Sequence, residues 1–149
     1  MKKLILTLAI FAFGASLGYA QVNARLYTEV THVSPKIGTA ITYSVPGYIG
    51  DIELGVFYQK SASLVGNVNE AMQTPYEKEF YGLLTSFTML DKPLFELDVD
   101  IRTGMVNSSN FVITPSVRGG LKLGKLSLNA GIGTRCFKAT YTAGMSVKF

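Results

Sequence analysis

From Phe95 to Arg102 every second residue is apolar: Phe95, Leu97, Val99 and Ile101 alternate with Glu96, Asp98, Asp100 and Arg102. Successive side chains of a β-strand leave opposite faces, so a period of two makes one face of this segment apolar and the other charged. A helix, with its period of 3.6, would scatter those charges around its whole circumference. The segment is a strand, and the chain repeats its pattern from end to end.

Residues 111–123 set Phe111, Ile113, Val117, Leu121 and Leu123 against Thr114, Ser116, Arg118 and Lys122. Residues 126–134 set Leu126, Leu128, Ala130 and Ile132 against Ser127, Asn129, Gly131 and Gly133. The last strand sets Tyr141, Ala143, Met145, Val147 and Phe149 against Thr140, Thr142, Gly144, Ser146 and Lys148. In the first half, residues 37–45 alternate Ile37, Thr39, Ile41, Tyr43 and Val45 with Gly38, Ala40, Thr42 and Ser44. Residues 51–59 alternate Ile52, Leu54, Val56 and Tyr58 with Asp51, Glu53, Gly55 and Gln59, and Phe57 breaks the polar side. Residues 80–90 are ambiguous, because Leu83 and Leu84 fall on opposite faces. Residues 24–33 are the weakest strand, with Leu26, Thr28 and Val30 opposed to Arg25, Tyr27, Glu29 and Thr31.

That makes eight strands. The second, fourth and sixth connections are short (46–49, 91–93 and 124–125), and the odd ones include the longest, 60–79, together with 104–110. Antiparallel hairpins keep the faces consistent. Counting through the 91–93 turn puts Glu96 opposite Thr88 and Asp98 opposite Ser86; the next hairpin brings Glu96 near Arg118, to within about two residues. Pro115, mid-strand and without an N–H, predicts a bulge.

Composition narrows what such a sheet is for. Of 149 residues 48% are apolar and only 16% charged, against roughly 25% charged in an ordinary soluble domain. The first twenty residues do not account for this, because the remainder is almost as poor in charge. The size suits one domain, and so aromatic and charge-poor a chain is not intrinsically disordered. The net charge of +4 includes Lys2 and Lys3 and no basic stripe appears, which argues against nucleic-acid binding.

Lys2 and Lys3, the apolar run Leu4–Phe13 and the small residues before Ala20 have the layout of a secretory signal peptide cut after Ala20. The run is too short for a transmembrane helix, and no later stretch is long enough. No cysteine follows the cut, so a lipoprotein is not expected, and the single thiol, Cys136, has no internal partner. Residues 21–149 are then either a soluble exported β-protein or a membrane barrel. Three features favour the barrel. The polar face is mostly Gly, Ser, Thr and Asn, which suits a cramped interior better than a watered surface. Strands of this length fit a tilted bilayer crossing. An even strand number, with short turns at one end and longer loops at the other, is the outer-membrane arrangement.

The closing residues carry a more specific signal. Thr142, Gly144, Val147 and the terminal Phe149 fill every specified place of the C-terminal assembly signal of outer-membrane barrels. With the N-terminal signal, the chain resembles small eight-stranded outer-membrane barrels of the OmpA and OmpX type. The resemblance covers the mature chain in pattern and its last eight residues in motif. It implies an all-β, eight-stranded antiparallel up-and-down transmembrane β-barrel in the cell outer membrane. Its partners would be outer-membrane lipid and lipopolysaccharide, and the barrel-assembly machinery that reads the last strand.

An eight-stranded barrel has an interior just wide enough for side chains. The candidates for it are Arg25, Glu29, Asp51, Glu53, Glu96, Asp98, Asp100, Arg102, Arg118, Lys122 and Arg135, with Glu96, Asp98, Asp100, Arg102, Arg118 and Lys122 as the central charge network. Charges of both signs in a narrow lumen must pair or be solvated. They form either a salt-bridged plug, the favoured expectation, or a narrow ion path in which the carboxylate ladder selects cations. No cofactor is implied, and carboxylates spaced i, i+2 without His or Cys are a weak metal signal. His32-Val33-Ser34 resembles part of the His-x-Ser site of outer-membrane lipid A deacylases, but no carboxylate is placed to orient His32 and Ser34 precedes Pro35 in a turn. A non-enzymatic barrel is therefore expected. The connection 60–79, with Leu64, Val65, Met72, Pro75 and Tyr76, is long enough to suggest a partner-binding surface.

Overall fold

In a computed structural model, the described residues are 21–31, 35–47, 50–62 and 78–149. They form eight strands: β1 (Gln21–Thr31), β2 (Pro35–Val45), β3 (Ile52–Ser61), β4 (Glu79–Asp91), β5 (Phe95–Val106), β6 (Asn110–Leu123), β7 (Leu126–Arg135) and β8 (Lys138–Lys148). Each pairs antiparallel with the next, and β8 returns to β1 from Asn23↔Lys148 to Thr31↔Thr140, closing the sheet. Closure leaves no long free edge, which is how an all-antiparallel sheet avoids pairing with its neighbours. The predicted signal peptide, His32, Ser34 and residues 63–77 lie outside the described residues.

The faces follow the sequence. Leu26, Ile41, Leu54, Val56, Leu83, Ile113, Leu121, Leu128 and Ile132 are exposed on the outer wall, while Arg25, Glu29, Glu53, Asp98, Asp100, Arg102 and Arg118 are buried inside. A soluble barrel has the opposite arrangement, because water rewards buried apolar area and penalises buried charge. Aromatic rings mark both ends of the outer wall. Tyr58, Tyr81, Phe111 and Tyr141 ring the end that carries the 62–78 connection, here the loop end; Phe87, Phe95 and Phe149 ring the turn end, where both described termini lie. Two such girdles around an apolar band are the pattern of strands crossing a bilayer.

Register departs from the sequence count along β4–β5. Thr88 pairs with Asp98 and Ser86 with Asp100, because the hairpin closes at Asp91↔Glu96, three residues off the count, and a bulge between Thr88 and Leu90 takes one residue back. Along β5–β6 Glu96 faces Gly120, two residues from Arg118 and within the counted tolerance, and Arg118 faces Asp98. No bulge forms at Pro115, which pairs in register with Ile101. Alternate residues of β6 turn their N–H and C=O groups to alternate neighbours. Lys122 donates its N–H to Leu94 on the β5 side, so Pro115, seven residues away, turns its nitrogen towards β7. There the β6–β7 ladder ends, at Ser116↔Gly133.

Two loop expectations are also corrected. Asp51 is exposed in the β2–β3 turn, where its carbonyl accepts the N–H of Thr88 at 3.0 Å, and does not enter the lumen. The expected 104–110 loop shrinks to Asn107, Ser108 and Ser109, since β5 runs to Val106 and β6 starts at Asn110. Asn107 and Ser108 adopt left-handed φ of 52° and 60°, and the Asn107 side-chain oxygen accepts the N–H groups of Lys78 and Glu79 at 2.8 and 3.1 Å. Local amide bonding of this kind is what makes Asn tolerant of such a turn. Of the odd connections only 62–78 is long.

Candidate functional site

Among the described residues the ionisable groups converge in the lumen, and its charges lie in three layers. At the loop end Glu29, fully enclosed, is gripped between two guanidinium groups: one carboxylate oxygen pairs with Arg102 and the other with Arg135. Arg135 also donates to Gln59 at 3.2 Å and to Thr114 at 3.1 Å. Its guanidinium lies 4.3 Å from the centre of the Phe80 ring, which meets Phe57 edge-on at 4.6 Å. Arg102 lies over the Tyr27 ring at 5.7 Å. Phe57, Phe80, Leu84, Val106 and Ala40 form a small apolar cluster inside this end. Lys36 is buried here as well.

Tyr27 occupies its place because a glycine makes room. A Cβ on Gly38 would come within 2.5 Å of the tyrosine ring, so the aromatic plane lies flat on the bare backbone of the neighbouring strand. This is the use of an inward glycine that strand alternation alone does not explain.

In the middle layer Arg25 pairs with Glu53 and reaches both oxygens of Asp100 at 3.3 Å. Arg118 pairs with Asp98 and donates to Asp100 at 3.1 Å. Glu53 further accepts from Asn23 at 2.6 Å and Thr42 at 2.9 Å. Glu53 and Asp100 are thus shared or multiply bonded, the condition under which buried charge is tolerated, whereas Asp98 has Arg118 as its ion-pair partner and its Oδ1 accepts no hydrogen bond. At the turn end the contacts loosen. Glu96 accepts from Lys148 at 3.0 Å, with Lys122 at 3.9 Å. Lys122 also pairs with Asp91, whose side chain is 58% exposed.

Between the upper layers lies a cavity of about 40 Å³, bordered by Arg25, Tyr27, Asp100, Arg102, Ser116 and Arg118. That is room for a few water molecules. Among the described residues no group of three or more His, Cys, Asp and Glu side chains could hold a metal ion.

The closed eight-stranded sheet, its apolar outer wall and its charged lumen belong together. The fold is a transmembrane β-barrel. A structure from the de novo design of transmembrane β-barrels superposes on it with a TM-score of 0.68 at 13% identity, covering 87% of this chain and 95% of that one. The solution structure of the de novo designed barrel TMB2.3 gives 0.64 at 12% identity, covering 87% and 94%. The crystal structure of Neisserial surface protein A gives 0.44 at 14% identity, covering 88% and 96%. No protein-family model and no curated protein matches the sequence.

Of the six predicted network residues, Asp98, Asp100 and Arg118 meet in the middle layer. Arg102 belongs to the loop-end layer, and Glu96 with Lys122 to the turn-end one. Lys36 and Phe80 escape the sequence reading, and Gln59, placed there on the polar face, is not among its lumen candidates. Lys36 shares the inward parity of Gly38 and Ala40, so extending that strand by one step would have found it. Phe80 begins the segment whose two faces both carry leucine, and no alternation signal separates them.

Proposed function

We propose that the protein is an integral outer-membrane barrel, exported by residues 1–20 and inserted with both termini in the periplasm. Its lumen is a salt-bridged plug and its role is structural or interactional at the cell surface. The observation that carries this is the enclosure of Glu29 between Arg102 and Arg135, beside the Phe57–Phe80 pair, across the loop end of the lumen. An ion entering there would have to break a buried charge cluster and displace an aromatic contact, and each is costly in a low dielectric. The inverted distribution of apolar and charged residues supports the membrane setting, and the short turns at the end bearing the termini support the orientation. Thr142, Gly144, Val147 and Phe149 would present the last strand to the assembly machinery, and lipid and lipopolysaccharide would contact the outer wall. Surface contacts would come through the 60–79 connection. His32 and Ser34 lie outside the described residues, and the role proposed for the barrel is non-enzymatic.

Planar-bilayer recording tests the plug: the protein should be silent, and steady conductance that changes with Glu96→Gln or Arg118→Gln would establish a narrow channel instead. Outer-membrane fractionation with a heat-modifiable gel shift tests the location. Recovery of a folded, detergent-free soluble monomer would refute it.

A further inference from the structure

Strand β6 outruns its neighbour. Its ladder with β5 continues to Val106↔Asn110, but its ladder with β7 stops at Ser116↔Gly133 and β7 itself ends at Arg135, beside Thr114, so Asn110–Ile113 run on past it. Pro115 is the reason. Its nitrogen faces β7 and has no hydrogen to give, so the ladder loses its next donor. One step past Arg135, where Cys136 would have come opposite Ile113, the chain turns instead, with Cys136 and Phe137 both left-handed at φ 50° and 64°. Phe111 and Ile113 share the parity of Pro115 and point their N–H and C=O groups the same way. Among the described residues neither the β6–β7 ladder nor a turn or loop backbone bond reaches them on that side.

We propose that this edge takes up an extended segment of another protein as an added β-strand, alternately apolar and carrying carboxylates. The inference rests on the proposal that the loop end faces outward from the cell, and names the surface through which it acts. Two donors and two acceptors in a row are the template that strand addition uses. Such groups cannot stand unpaired in hydrocarbon, so the edge lies at or above the lipid boundary. Around it the chemistry is apolar and cationic. Phe111 and Ile113 are exposed on its outer face, Phe137 is completely exposed at its foot, and two exposed lysines flank it, Lys78 beside the β5–β6 turn and Lys138 after the β7–β8 turn. Those lysines select a partner with carboxylates. A second copy in the same membrane does not fit. Antiparallel pairing of two identical edges needs a two-fold axis perpendicular to the sheet. That axis lies in the membrane plane and would turn the second barrel upside down.

Amide hydrogen exchange on the full-length protein in detergent micelles reads the edge directly. The Phe111 and Ile113 amides should exchange roughly a hundredfold faster than those of Val112 and Thr114, which face β5. A short synthetic peptide of alternating threonine and valine with glutamate at both ends should slow them, and its lysine-ended counterpart should bind roughly tenfold more weakly. Ile113→Pro removes one edge donor without touching the β5 ladder; it should keep the heat-modifiable shift and lose peptide binding. Val112→Pro, which does break that ladder, is the folding control. Protection of Phe111 and Ile113 without peptide would overturn the proposal, because residues 63–77 or a second copy would already cover the edge. So would failure of the peptide to bind the parent, or equal binding to Ile113→Pro. Those outcomes leave a silent, outer-membrane barrel intact with its contacts elsewhere, whereas conductance or a soluble monomer would sink the broader proposal by itself.

Discussion

The two ends of the lumen hold their charges differently. At the loop end Glu29 has no exposure and its partners Arg102 and Arg135 almost none; aromatic rings pack beside both guanidinium groups. At the turn end Glu96 is as well buried, but its partners Lys122 and Lys148 are 17% and 29% exposed and Asp91 more so. The chemistry is the same, a carboxylate between two cations. The difference is where the cations can go when the carboxylate is lost. Arg102 and Arg135 would be stranded, whereas Lys122 and Lys148 can swing their ammonium groups into water on flexible stems. Identical ion pairs therefore differ in energetic weight according to the escape route of the partner left behind.

The largest effect should follow from Glu29→Ala, which leaves two buried guanidinium groups uncompensated and should cost about 3–5 kcal/mol. Urea unfolding of the barrel in detergent measures it. A loss below about 1 kcal/mol would mean that water already reaches the loop-end layer. Next comes Phe80→Ala, which opens a cavity beside Phe57 and removes the ring under Arg135, at about 3 kcal/mol by the same unfolding assay. Glu96→Gln, the turn-end counterpart of the first variant, should cost only about 1 kcal/mol, because Lys122 and Lys148 rehydrate. Equal losses for Glu29→Ala and Glu96→Ala would erase the contrast between the two ends. The smallest effect should be that of Asp91→Asn, under about 0.5 kcal/mol. It should fade as salt rises, since a half-exposed pair is screened within roughly 10 Å at 0.1 M.

Much of the fold was legible before any coordinates. Inward and outward assignments for residues 95–102, 111–123 and 126–134 need only the period of a strand, and the outer wall and lumen reproduce them. Register was less legible. The hairpin after β4 closes at Asp91↔Glu96 and a bulge at Thr88–Leu90 takes one residue back, so Asp98 and Asp100 lie two residues along β4 from the counted register, and nothing in the alternation there announces either. Pro115 signalled trouble correctly, but its effect depends on which neighbour its nitrogen faces, a matter of hydrogen-bond phase and not of composition. Asp51 shared the parity of Glu53, yet the strand begins one residue too late to carry it inside.

By itself the sequence determined which side chains share a face, because alternation is a property of one strand and needs no partner. From that followed a sheet with an apolar and a charged side; the Gly-, Ser-, Thr- and Asn-rich polar face, the strand length and the even strand number, not the alternation, favoured a barrel turned inside out for lipid. Only the closed structure decided which charges meet. Arg25 lies 75 residues from Asp100, and Glu29 lies 106 residues from Arg135. They come together because closure of eight tilted strands brings opposite walls within one side-chain length. Closure also left Asn110–Ile113 with one neighbour in place of two, past the end of β7 at Arg135 and the proline nitrogen that had no hydrogen to offer.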